Sequence, residues 1–115
     1  MKKQLGAYGE LLSRKYLINK GYLLLKNNFK NRFGEIDIIA QQNNVMVFIE
    51  VKTRKNTIYG LPREAVNYRK QLKIKKVAQQ YIQQQKIRDM NFRFDVIEVL
   101  WIKDKYEINH IENAF

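Results

Sequence analysis

Glu35, Asp37, Glu50 and Lys52 set three carboxylates and one amine within eighteen residues of each other. They lie in one stretch, GEIDIIAQQNNVMVFIEVKTR, from Gly34 to Arg54. A hard divalent ion such as magnesium takes oxygen ligands, commonly one or two carboxylates, with water and substrate phosphate in the remaining positions. An ammonium beside that ion orients or polarises an attacking water, or steadies a charged phosphate. Three carboxylates and an amine brought together therefore suit phosphodiester hydrolysis.

These four residues sit at the outer ends of two apolar runs flanking Gln42-Asn43-Asn44. Asparagine tolerates the left-handed backbone of tight hairpin turns, so Asn43-Asn44 predicts a turn between strands at about Ile36–Gln41 and Val45–Lys52. A hairpin centred there sets Asp37 opposite Glu50 and Glu35 opposite Lys52. Alternation then projects all four from one face, with Ile39 and Phe48, while Ile36, Ile38, Val47, Ile49 and Val51 take the other. Directly opposed side chains start only roughly 5 Å apart, and like charges so placed are destabilising. An exposed Glu35–Lys52 ion pair, with Asp37 and Glu50 splayed into water, is the simpler account. The apolar residues on both faces argue against it, because a strand covered on both sides leaves its charges costly unless they are employed.

Asp37 followed by Glu50-Val51-Lys52 at the end of the next strand resembles the PD-(D/E)xK signature of restriction-endonuclease-like nucleases and archaeal Holliday-junction resolvases. Four blocks, Gly6-x-x-Gly9-Glu10, Gly34-Glu35-Ile36-Asp37, Phe48-Ile49-Glu50-Val51-Lys52-x-Arg54 and Arg93-Phe94-Asp95, resemble in order the bacterial YraN-like family of predicted endonucleases. The resemblance spans nearly the whole chain. It implies an α/β fold with a restriction-endonuclease-like αβββαβ core, a mixed sheet flanked by helices. It further implies Mg²⁺ or Mn²⁺ held by Asp37 and Glu50, with Lys52 completing the catalytic set and Glu10 supporting it. Ile36 stands where the broader nuclease pattern has proline.

The chain has 115 residues and a formal charge of +11, with 45% hydrophobic residues. That length predicts one domain over residues 1–115. With several acids committed to the proposed site, the remaining surface is more basic still, which favours a polyanionic partner, nucleic acid. A membrane is the rival partner, but every uninterrupted apolar run is far shorter than the roughly 20 residues a span needs. The chain has no cysteine, which excludes disulfides, thiolate zinc sites and cysteine nucleophiles. Glu10 and Arg14 interrupt what would be a signal peptide's apolar stretch, so the expected location is cytoplasmic.

In chain order, Leu5, Tyr8, Leu12 and Tyr16 recur at helical spacing and predict a helix over about Lys3–Lys20, stopped by Gly21. Gly6 and Gly9 weaken that helix by up to about 1 kcal/mol each, which suggests that a backbone or ligand approaches closely. Spacing alone gives Glu10 an equally good partner in Arg14, one turn on. A short strand follows at Tyr22–Lys26, extending to about residue 28, then an irregular link through Asn27-Asn28, Asn31 and Gly34. Arg54 and Lys55 open a polar loop beside the site and are placed for phosphate contact, and Tyr59 next to Gly60 is a weaker stacking candidate. Pro62 and Glu64 suit a helix start, predicting Pro62–Gln85 with a buried stripe of Val66, Ile74, Val77, Ala78, Tyr81 and Ile82. Arg63, Arg69, Lys70, Lys73, Lys75 and Lys76 crowd its first half and are read as a nucleic-acid face, with Arg69, Lys70 and Lys73 taken as contacts, although spacing does not fix which of the six point towards the site. Phe92–Ile102 predicts a strand parallel to the Glu50 strand, with Arg93–Asp95 as an edge ion pair, and Tyr106–Ile111 a last strand carrying His110 at the surface or in packing.

The reading is a metal-dependent nuclease acting on nucleic acid, DNA ahead of RNA, with Glu10 and Glu35 as site support; a homodimer is compatible with it. The alternative is a basic nucleic-acid-binding protein in which the carboxylates serve structure.

Overall fold

Asn43 adopts φ 54° and reverses the chain between two strands, the left-handed conformation that asparagine tolerates best after glycine. Around this hairpin the computed structural model describes residues 2–55 and 66–115, with side chains from residue 5 onward. The elements are α1 (Lys2–Asn19), β1 (Leu23–Asn31), β2 (Gly34–Gln42), β3 (Val45–Arg54), α2 (Tyr68–Gln84), β4 (Asn91–Ile102) and β5 (Lys105–Ile111). The order is αβββαβ with one strand added. Tyr59, Gly60, Pro62, Arg63 and Glu64, read above as a loop and helix start, lie outside the described residues.

The five strands form one mixed sheet in the order β1-β2-β3-β4-β5. β3 and β4, joined through α2, are parallel, and the other neighbours are antiparallel. The β2–β3 register is the one the turn dictates, Gln42 with Val45 through Ile38 with Ile49.

Each face of the sheet carries one helix. Ile74, Val77, Ala78 and Tyr81 of α2 pack on Ile39, Met46, Phe48 and Val96. Leu12 and Leu17 of α1 pack on Ile38, Ala40, Val47, Ile49, Ile97 and Val99. Each Val, Leu, Ile, Phe or Met among them, fully buried, contributes roughly 1.5–3 kcal/mol from transfer out of water.

The α1 stripe differs from the expected one. Gly9, Leu12, Ser13 and Leu17 face the sheet, whereas Tyr8 is half exposed against Trp101. The helix is set by Gly9, where an added Cβ would fall 1.9 Å from Oγ1 of Thr53 on β3; at Gly6 nothing lies within 4 Å. The close approach expected of the two glycines belongs to Gly9 alone. Gly21, at φ +89°, ends α1: its N–H bonds Ile18 O and the Tyr22 N–H bonds Leu17 O, both at 3.0 Å.

Asn27 and Asn28, expected in an irregular link, lie inside β1, which pairs with β2 through Asn31 and Gly34. The irregularity survives as a kink: Asn28 has φ 52° between the pairs Asn27–Ile38 and Phe29–Ile36. Strict alternation is lost there, and Ile36 joins Ile39 and Phe29 on the α2 face instead of taking the opposite side.

α2 begins at Tyr68, later than Pro62. Its N-cap is Asn67, whose side chain accepts the Lys70 N–H, an interaction worth about 1 kcal/mol. Arg93 and Asp95 do pair, but in the interior of the fold. Asp95 is fully buried and takes bonds from Arg93, from Nε2 of His110 at 2.7 Å and from the Asn113 N–H at 3.1 Å. Burial works against its ionised form, but the His110 and Arg93 bonds outweigh this and hold its pKa below the usual range. β5 makes this possible by bringing His110 alongside β4, where its Nδ1 also meets the Tyr16 hydroxyl.

Candidate metal and nucleic-acid site

β3 stays paired with β4 as far as Arg54 and Leu100, but its pairing with β2 stops at Ile38–Ile49. From Glu50 onward the β2 side of β3 is therefore open to side chains. Asp37 enters the opening, where its Oδ2 accepts the Val51 N–H at 2.8 Å. Its other neighbour is Glu50, close enough to act on its titration.

Burial, then the hydrogen bond and charge of Glu50, push the Asp37 pKa up to about 8. Burial also works against ionised Glu50, but the Asp37 bond and the Lys70 charge outweigh it, and its pKa is lowered. The two carboxyl groups are thus pushed in opposite directions, Asp37 towards its neutral form and Glu50 towards its charged one. Lys70 of α2 places Nζ 3.0 Å from Oε2 of Glu50. Lys52 lies beside Lys70, and burial together with that ammonium lowers its pKa despite the two carboxylates. Lys70 moves the other way, since Glu50 outweighs its burial.

Glu10 reaches the same region from α1. Burial raises its pKa against the pull of Arg14 and a hydrogen bond from Asn28, and the charges of Glu35 and Glu50 add to the rise. Glu35 does not face Lys52: the β2–β3 ladder has ended, and its register partner is Lys30 of β1, with which it makes an exposed 3.7 Å ion pair.

The basic residues divide. Arg54 is not free for phosphate. Its guanidinium lies against the carboxylate of Glu98 on β4, and both side chains are largely buried. Lys55 is exposed at the end of β3. Arg69 and Lys73 are exposed on α2 and line a groove with Gly34, Glu35, Asn67 and Lys70.

Residues 9–99 match the family described as "Uncharacterised protein family UPF0102". The chain belongs to the UPF0102 family. It is 56% identical over 117 residues to a UPF0102 protein of Alkaliphilus oremlandii (strain OhILAs), with all of both chains covered. It is 51% identical over 116 residues to a UPF0102 protein of Clostridium botulinum (strain 657 / Type Ba4), covering 98% of this chain and 94% of the relative. A UPF0102 protein of Alkaliphilus metalliredigens (strain QYMF) is 46% identical over 115 residues, with both chains fully covered. The UPF0102 match spans Glu10, Asp37, Glu50, Lys52 and Lys70 and stops before β5.

Among the described residues of this UPF0102 chain, no three His, Cys, Asp or Glu side chains gather into a metal cage. The oxygen donors of Asp37 and Glu50 instead fit a hard cation that keeps most of its own water. Two partners escaped sequence reading, Asn28 and the Lys70–Glu50 pair. The available signal for Lys70 is the first turn of α2, which holds no acidic residue although its end of the helix dipole favours one.

Among the described residues, no helix is long and apolar enough to cross a membrane.

Proposed function

We propose that this UPF0102 chain is a divalent-metal-dependent nuclease that hydrolyses phosphodiester bonds in nucleic acid, DNA ahead of RNA. The observation that carries the reading is the largely buried, mutually interacting pair Asp37 and Glu50, the first tied to the Val51 N–H at 2.8 Å and the second 3.0 Å from Lys70 Nζ, with Lys52 beside them. Carboxylates forced together at a strand edge are costly for folding alone, and perturbed groups of this kind concentrate at functional sites. The resemblance of Asp37 and Glu50-Val51-Lys52 to the PD-(D/E)xK signature supports the same chemistry.

Asp37 and Glu50 would hold Mg²⁺ or Mn²⁺, which supplies a Lewis-acid centre and water of lowered pKa when bound. Val51 fixes Asp37 through its N–H, so the ligand spacing is set by the main chain. Lys52, with its lowered pKa, is suited to orient the attacking water or take its proton. Arg69 and Lys73 extend positive charge along the groove and attract the backbone of a polyanion. Exposed Lys55, just past the same end of β3, adds to it from the α1 side of the sheet.

Calorimetry of Mg²⁺ and Mn²⁺, paired with cleavage of labelled DNA and RNA, tests the proposal on wild type, Glu50→Ala and Lys52→Ala. Wild type should bind metal and cut. Glu50→Ala should lose both yet still bind nucleic acid in chelator, and Lys52→Ala should keep the metal but turn over slowly. Unchanged metal affinity in Glu50→Ala would rule out its role as ligand. Nucleic-acid binding without metal binding in wild type would instead favour a non-enzymatic nucleic-acid-binding protein, in which Lys70 neutralises Glu50 permanently.

A further inference from the structure

Glu50 already has a cation. Nζ of Lys70 stands 3.0 Å from its Oε2, and Glu50 itself is only 8% exposed. The Lys70 main chain is fixed, because its N–H is bonded by the N-cap Asn67 at 2.9 Å. Its side chain is not confined in the same way, being 41% exposed and bordering the groove that Arg69 and Lys73 line. A lysine in the first turn of α2 faces the positive end of the helix dipole and a second lysine, Lys52. The helix end disfavours an ammonium there, and Glu50, whose charge raises the Lys70 pKa most, is the anion that holds it in place.

From this placement we infer that Lys70 is a cation switch that couples the two ligands of the site. Without nucleic acid its ammonium occupies Glu50 and competes with the divalent ion. A phosphate drawn into the groove by Arg69 and Lys73 offers the ammonium a second anion and releases Glu50. Metal and nucleic acid then bind cooperatively, each raising the affinity of the other by the same factor. The inference rests on the reading of Glu50 as a metal ligand. Lys70 is accordingly a positioning residue, not one more free contact on a basic helix face.

The test is calorimetric titration of Mn²⁺ into wild type, Lys70→Met, Lys70→Arg and Glu50→Ala, alone and with a short phosphorothioate duplex DNA that resists cleavage. For wild type, DNA should tighten Mn²⁺ binding about tenfold, within the usual range of coupling between sites. Lys70→Met should bind Mn²⁺ about tenfold more tightly without DNA and gain nothing further from it, while Lys70→Arg, which keeps the charge, should bind as weakly as wild type. Lys70→Met with unchanged or weaker Mn²⁺ affinity, or with the wild-type gain on adding DNA, would overturn the switch. If that occurs while Glu50→Ala loses Mn²⁺, the ligand assignment stands and only the switch falls. If Glu50→Ala binds Mn²⁺ like wild type, the ligand assignment falls and takes the switch with it.

Discussion

The Asp37 carboxylate accepts the Val51 N–H at 2.8 Å at the point where β3 has lost its β2 partner. That bond replaces a rung of the ladder with a side chain. It satisfies a strand N–H that would otherwise go unpaired, and it ties one candidate ligand to the strand that carries Glu50 and Lys52. The site is therefore dimensioned by the sheet.

Because the Asp37 pKa is raised to about 8, its proton binds more tightly to the folded protein than to the unfolded chain. Between the ordinary carboxylate range and pH 8 the folded state holds the extra proton, so stability should fall as pH rises, by at most about 1.4 kcal/mol per unit. Above pH 8 this contribution levels off. Asp37→Asn, which keeps an acceptor for Val51, should lose the slope in urea titrations run in chelator. Mg²⁺ must displace the same proton, so its apparent affinity for wild type should climb towards pH 8. A flat wild-type profile through this window would contradict the protonated pair.

Arg54 and Glu98 form a largely buried ion pair, which predicts a stability effect where sequence reading expected a binding effect. Arg54→Met should destabilise by about 3–5 kcal/mol, because Glu98 is left charged and alone. Replacing both residues by methionine should recover most of that loss. Denaturant unfolding of the two variants decides; an Arg54→Met protein of wild-type stability but weakened nucleic-acid affinity would return Arg54 to the phosphate surface.

The two α1 glycines should respond with opposite signs. Gly6 has open space, so Gly6→Ala should stabilise by about 0.5–1 kcal/mol through helix propensity. At Gly9 the new methyl would meet Thr53 Oγ1 at 1.9 Å and its Cβ at 3.1 Å, and overpacking should cost about 1–3 kcal/mol despite the same propensity gain. Thermal unfolding of both, with Thr53→Ala added to Gly9→Ala to relieve part of the clash, is the measurement. Equal shifts in the two single variants would mean that α1 does not sit on β3 at Gly9.

Nucleic-acid affinity should fall steeply with salt. Removing Arg69 or Lys73, exposed on the groove, should flatten the log–log salt slope by about 0.9 for duplex DNA. Fluorescence anisotropy at several salt concentrations reads this directly. Slopes unchanged in both variants would place the polyanion elsewhere.

The features legible along the chain are those that depend on near neighbours. Asn43 sets the hairpin turn, and the turn sets the register from Gln42–Val45 to Ile38–Ile49. The 3.6-residue spacing of Ile74, Val77, Ala78 and Tyr81 sets the buried face of α2. Passage through a helix makes β4 parallel to β3. Which charges meet emerges only in the folded chain, because charge pairing joins residues far apart in sequence. Arg54 finds Glu98 across the parallel ladder, Lys70 finds Glu50 because α2 packs over β3, and Asp95 finds His110 because β5 lies beside β4. A basic residue reads the same in sequence whether or not it has a partner, and burial opposite a carboxylate is what separates Arg54 from Lys73. The left-handed Asn28 belongs to the same class. Its amide type suggested a turn, yet pairing on both sides kept it in the strand, so the local preference survived only as the kink that brings it to Glu10.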